Sequence, residues 1–183
     1  MAGDVKNGEY LFQVIDAPPP EAEPIALGGR PEARLFMRVA RAGRPEIVFA
    51  LRPSDRSECW AFADGVWWGG MFFIGFAERV YAVRTDGAEV AAIDLGDYFC
   101  AFTPGDEFLL VATGLRVLRI GPDGRLVWRS DVLGIDGVVI DTVEGGIIRG
   151  AMQHDPPDGW LDFAIALSDG TMADAGSHRV RQA

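Results

Sequence analysis

Apolar and polar positions alternate along most of this chain in short runs that end at glycine, aspartate or proline, a period that predicts strands rather than helices. Glu9 to Ile15 (EYLFQVI) predicts a first strand. The following Ala17 to Pro24 (APPPEAEP) breaks any regular element, because its prolines lack donors and bias their neighbours to extended forms. It reads as an exposed, polyproline-like loop that continues through Gly28-Gly29. From Arg34 to Val39, Leu35, Met37 and Val39 fall on one side and Phe36, Arg38 and Ala40 on the other. Ala42-Gly43-Arg44-Pro45 then turns the chain, and EIVFALRP returns it from Glu46. A short helix over residues 31–41 is the competing reading, since alanine and arginine favour helix.

Further on, an Asp-Gly pair follows an apolar stretch at Asp64-Gly65, Asp86-Gly87, Asp123-Gly124 and Asp169-Gly170. Such a pair predicts a hairpin, with a type I′ turn that places both central residues at positive φ. RVYAVRTDGAEV (79–90) and RVLRIGPDGRLV (116–127) align with each other, the offset from Asp86 to Asp123 being 37 residues. A looser third copy runs from GIIRG (146–150) through the insertion QHDPPDG to WLDFAIALSDG. Repeats of about 40 residues carrying three or four strands predict blade-like sheets that stack on one another. The expected fold is therefore all-β: antiparallel sheets from repeated hairpins, arranged as propeller-like blades or a β-sandwich. One domain over 1–183 is expected, with an irregular part over about 1–58, hairpin units over about 59–176, and a frayed tail at 177–183.

VLRIGPDGRLVWR (117–129) resembles the quinoprotein-type (PQQ-like) β-propeller repeat, in which a strand, a turn and a tryptophan-ended strand recur. Residues 80–93 match in part, with Ala91 standing where Trp128 would. The stretch GIDGVVIDTVEGGIIRG followed by HDPPDGW also resembles uncharacterised small bacterial proteins. The propeller resemblance implies architecture; cofactor binding does not come with it.

Charge narrows the partners. A formal net charge of −10 over 183 residues repels a phosphate backbone and an anionic membrane surface alike. It suits solubility, or another protein that is basic. Cys59 and Cys100 lie far apart beside aromatic residues and read as small buried hydrophobes in a reducing compartment, although a bridge between them remains open from sequence. The start, MAGDVKNGEYLFQV, lacks a basic-then-apolar leader pattern, and the apolar run Gly65 to Phe76 is too short and too glycine-rich to span a bilayer. The expected setting is cytoplasmic.

Candidate chemistry is sparse. His154, Asp155, Asp158 and Asp162 form the densest cluster of ligand-type side chains, but Pro156 and Pro157 inside it mark an inter-strand turn. No D-x-D-x-D-G series, H-x-x-x-H pair or G-x-S-x-G elbow occurs. Gly28-Gly29 and Gly69-Gly70 read as turns rather than phosphate loops. No catalytic, cofactor or metal residue is expected. The aromatic stretch around Trp67 and Trp68 is more informative, because alternation sends these two rings to opposite faces and brings one to a surface. A binding patch of Trp67, Trp68, His154, Asp155 and Trp160 is the candidate site. Two roles follow. One is a non-catalytic protein-interaction domain, in its most concrete form an immunity-type inhibitor of a basic partner. The other is a small-molecule or carbohydrate site, enzymatic or not, in which the Trp67/Trp68 region joins the His154–Asp162 loop.

Overall fold

The computed structural model describes residues 5–7, 10–28, 35–53, 62–154, 159–173 and 180–181. Among them the chain is all-β, in four sheets built mostly from antiparallel hairpins. No helix long and apolar enough to cross a membrane occurs among these residues. Backbone contacts divide the chain into two compact units, Met1–Phe99 and Cys100–Ala183.

The first unit opens with β1 (Val5–Asn7), β2 (Tyr10–Ile15), β3 (Ile25–Leu27), β4 (Leu35–Ala40) and β5 (Ile47–Leu51), joined in the order β1-β2-β4-β5-β3. The alternation read in β4 is realised: Met37 and Val39 are buried, and the facing register puts Val39 opposite Phe12 and Met37 opposite Val14. The loop expected through residues 17–29 is corrected at Ile25–Leu27, which pairs in parallel with β5. Leu27 is buried there, and its carbonyl accepts a hydrogen bond from the Arg52 N–H at 2.8 Å. Burial of Leu27 and that parallel ladder outweigh the extended, solvated form that the prolines favour.

A second sheet is a simple meander of β6 (Ala63–Trp68), β7 (Met71–Phe76), β8 (Arg79–Val83) and β9 (Glu89–Asp94). Asp64-Gly65 is not a turn, as expected from the dipeptide, but part of β6. The ring of Phe12 lies where a Gly65 side chain would be: a Cβ there would stand 2.2 Å from it. The turn falls instead at Gly69-Gly70, both at positive φ. Phe72, Ile74, Phe76, Tyr81 and Val83 of this sheet share one core with Phe12, Met37, Val39, Phe49 and Leu51 of the first.

In the second unit lie β10 (Phe99–Pro104, whose first residue belongs to the first unit), β11 (Leu109–Thr113), β12 (Val117–Ile120) and β13 (Leu126–Arg129). The fourth sheet holds β14 (Val138–Glu144), β15 (Ile147–Gln153), β16 (Trp160–Ala166) and β17 (Val180–Arg181). Leu110 and Val117 pack with Val138, Ile148, Met152, Phe163 and Ile165. The tail expected to fray contributes β17, which pairs with Trp160 and Leu161.

Three Asp-Gly turns do form, at 86–87, 123–124 and 169–170, but not as type I′. Only the glycines have positive φ, at 85°, 77° and 76°. Each aspartate instead stays in ordinary backbone space and accepts a hydrogen bond two residues on: Asp86 from Ala88, Asp123 from Arg125 and Asp169 from Thr171, all at 3.0–3.1 Å. Register shifts at residues 82–83 and 119–120 accompany the first two, which is the geometry of a longer hairpin loop closed by a left-handed glycine.

Candidate binding cleft

β2 brings Tyr10 to the inner face of the first sheet, and β6 and β7 bring Trp67 and Phe72 to meet it. Trp67 and Phe72 are register partners across the hairpin, so their side chains must share a face. The ring centroids lie 4.8 Å apart for Tyr10 and Trp67, 4.9 Å for Tyr10 and Phe72, and 5.1 Å for Trp67 and Phe72. Tyr10 and Phe72 meet edge to face at 82°, the arrangement the ring quadrupoles favour.

These three rings line a cleft of about 430 Å³ together with Val39, Ile47, Arg41, Arg44, Pro45, Thr85 and Asp86. Tyr10, Val39 and Phe72 are buried and make its floor; Arg44, Pro45, Thr85 and Asp86 are exposed at its mouth. Arg41 follows directly on β4. Its guanidinium lies 5.2 Å over the Tyr10 ring and donates to the Tyr10 hydroxyl at 3.2 Å. The turn after Arg41 is closed by a bond from the Arg44 N–H to the Arg41 carbonyl at 3.1 Å and sets Arg44 at the rim. On the opposite hairpin, Arg84 and Asp86 form an ion pair at 2.8 Å, and this pairing holds the Asp86 carboxyl below the usual carboxylate range. The result is an apolar, aromatic basin with polar groups around its edge, the common build of a ligand site.

The expected patch residues distribute over both units. Trp67 lines the cleft and is half-buried. Trp68 points to the other face of β6 and is only 9% exposed, with its ring 5.9 Å from that of Phe73. His154 and Trp160 belong to the second unit, and Asp155 lies outside the described residues. His154 is exposed, and its N–H donates to the Gly159 carbonyl at 2.9 Å to close the β15–β16 connection. Trp160 is half-buried over Gly137, where a Cβ would stand 3.0 Å from the indole. Tyr10, Arg41, Arg44, Thr85 and Asp86 were not among the site residues expected from sequence.

Cys100 is half-buried in β10, and Cys59 lies outside the described residues. Among the described residues no three His, Cys, Asp or Glu side chains gather as a metal site would require. Burial pushes the Asp64 carboxyl up, against the opposing bond it accepts from the Gly65 N–H at 2.7 Å. It shares a face of β6 with Val66 and Trp68, the face away from the cleft. A second, broader depression of about 670 Å³ in the second unit is lined by Asp106, Glu107, Asp141, Phe108 and Arg119 among others. Arg119 is committed there to backbone, donating to the Leu167 carbonyl at 3.1 Å, the same oxygen that accepts the Trp128 indole N–H at 3.0 Å. No protein-family model matches this chain, and no curated protein matches it in sequence.

Proposed function

We propose that this chain is a non-catalytic binding domain of cytoplasmic setting, and that the cleft of Tyr10, Trp67 and Phe72 receives its ligand. The observation that carries this reading is the convergence of three aromatic rings, their centroids within 5.1 Å of one another, in a cleft with a polar rim. Aromatic faces of this kind favour flat partners, an aryl ring or the face of a sugar. The blade-like reading of the architecture accords with it, since each four-stranded meander is the unit from which propeller blades are made. The test is a fragment titration of the full chain followed by amide chemical shifts. Ring-bearing fragments should move the signals of residues 10, 39–44, 46–47, 67, 72 and 85–86, and Trp67→Leu should abolish the effect while the chain stays folded. Fragments that bind equally well to Trp67→Leu would remove the cleft from consideration.

A second reading, interaction with a basic protein in the manner of an immunity-type inhibitor, is favoured by a different surface. In the second unit Val132, Ile135 and Val139 are 59%, 50% and 47% exposed, interspersed with Asp131, Asp136 and Asp141. Apolar side chains framed by acids suit a partner with lysines or arginines around an apolar centre. A partner captured from host extract at low ionic strength should be lost with Val132→Lys and Ile135→Lys; one retained by both variants binds elsewhere.

A further inference from the structure

Resting on the cleft reading, we infer that this site selects ligands in which a flat ring carries an anionic group, a carboxylate or a phosphate. The chain as a whole carries a formal charge of −10, yet among the described residues the charged side chains lining the cleft are Arg41, Arg44 and Asp86. The single acid of the three is already neutralised: Arg84 donates to both Asp86 oxygens, at 2.8 and 3.3 Å. Asp86 also accepts the Ala88 N–H, so its oxygens serve the turn rather than a ligand. Among the described residues, the charge left without an ion pair at the mouth of the cleft is therefore the positive charge of Arg44.

Geometry supports the same conclusion. Arg41 is fixed by its position over Tyr10 and by its bond to the phenol oxygen, which sets the guanidinium beside the aromatic floor. Arg44 forms no ion pair with any described residue and sits exposed at the mouth. A guanidinium presents a planar fork of donors that matches a carboxylate or phosphate edge, and a charge-assisted bond of this kind exceeds a neutral one. A ring stacked on Trp67 and Phe72 would bring its substituent towards these forks from an apolar surface, where screening is weaker than in bulk water. Arg44 at the rim therefore decides the sign of the ligand.

The test compares three probes of one ring system on the full-length chain: 2-naphthoate, 2-naphthyl phosphate and the neutral 2-naphthamide, titrated by calorimetry and amide chemical shifts. At least one anionic probe should bind about 10- to 100-fold more tightly than the amide. Arg44→Gln, a change in an exposed turn, should remove at least about fivefold of that advantage, weakening the anionic probe more than naphthamide. The stronger of the two anions then identifies the group as carboxylate or phosphate. Naphthamide binding as tightly as both anions overturns the charge selection while leaving the cleft as a ring site. No saturable binding of any probe at about 10 mM overturns the cleft reading itself, and this inference with it.

Discussion

Replacing Gly75 with alanine isolates how tightly the second sheet is packed, and the cost follows from a few distances. A Cβ at Gly75 would stand 2.3, 2.4 and 2.5 Å from three carbons of the Phe99 ring. That is roughly 1 Å short of ordinary van der Waals contact. The ring has little room to withdraw, because Phe99 is 1% exposed and its N–H is bound to the Ala77 carbonyl at 2.6 Å. The neighbouring Leu95 N–H is held by the Glu78 carbonyl at 2.9 Å, which anchors the approach to β10 as well. Gly75 does not have positive φ, so alanine meets no backbone penalty and the effect is steric. Overpacking of this kind costs about 1–3 kcal/mol. Against it, alanine restricts the unfolded chain, a gain of about 0.4–1 kcal/mol. Net destabilisation should therefore be about 1–2 kcal/mol, read as a lower urea midpoint with an unchanged slope. Shrinking the ring by Phe99→Leu in the Gly75→Ala background should relieve the clash, giving a coupling of about 1 kcal/mol in the double-mutant cycle. Gly75→Ala as stable as the wild type, or additive costs in the double variant, would refute the account.

Other expectations are as direct. Asp64→Asn should stabilise the chain near neutral pH, with a gain that shrinks on acidification. Burial raises the Asp64 carboxyl above 3.8 in the native state, so the wild type loses stability as pH climbs from that value through the raised one, whereas asparagine does not titrate. Equal wild-type-minus-variant differences at about pH 3 and about pH 7 would contradict this. Arg84→Ala should move the Asp86 carboxyl upward towards its ordinary value, visible in a carbon NMR titration of the side chain; an unmoved midpoint would mean the ion pair is not its cause. Thr113→Val should cost about 1–2 kcal/mol in urea unfolding, since the buried hydroxyl accepts from the Leu115 and Arg116 N–H groups and donates to the Arg116 carbonyl. A neutral substitution would show that the β11–β12 turn holds without it.

Local chemistry made the hairpins legible. An aspartate that caps its own turn and a glycine that takes positive φ act within five residues, so Asp86-Gly87, Asp123-Gly124 and Asp169-Gly170 announced themselves. The same dipeptide misled at Asp64-Gly65, because there the glycine answers to Phe12, a residue from another strand. Ile25–Leu27 was hidden for a similar reason: its partner, Ile47–Leu51, is reached only after one intervening strand, Leu35–Ala40, and a turn. Alternation separated Trp67 from Trp68 correctly, one at a cleft and one buried. It had no means of finding Tyr10, Arg41 or Arg44, which come to Trp67 from a different sheet through tertiary packing. Repeat logic reads what neighbours in sequence do, and the cleft is made by residues that are not neighbours.

The parallel placement of β3 beside β5 has a consequence for biosynthesis. During translation Ile25–Leu27 emerges well before the strand that will hold it, and nothing nearer can complete its ladder. Until Leu51 has left the ribosome the segment must wait with its backbone satisfied by water, while Pro18, Pro19, Pro20 and Pro24 narrow the conformations it can wander through. The later meanders pair strands that are consecutive in sequence, whereas a nascent chain halted shortly before residue 47 should leave this end of the protein open to proteolysis.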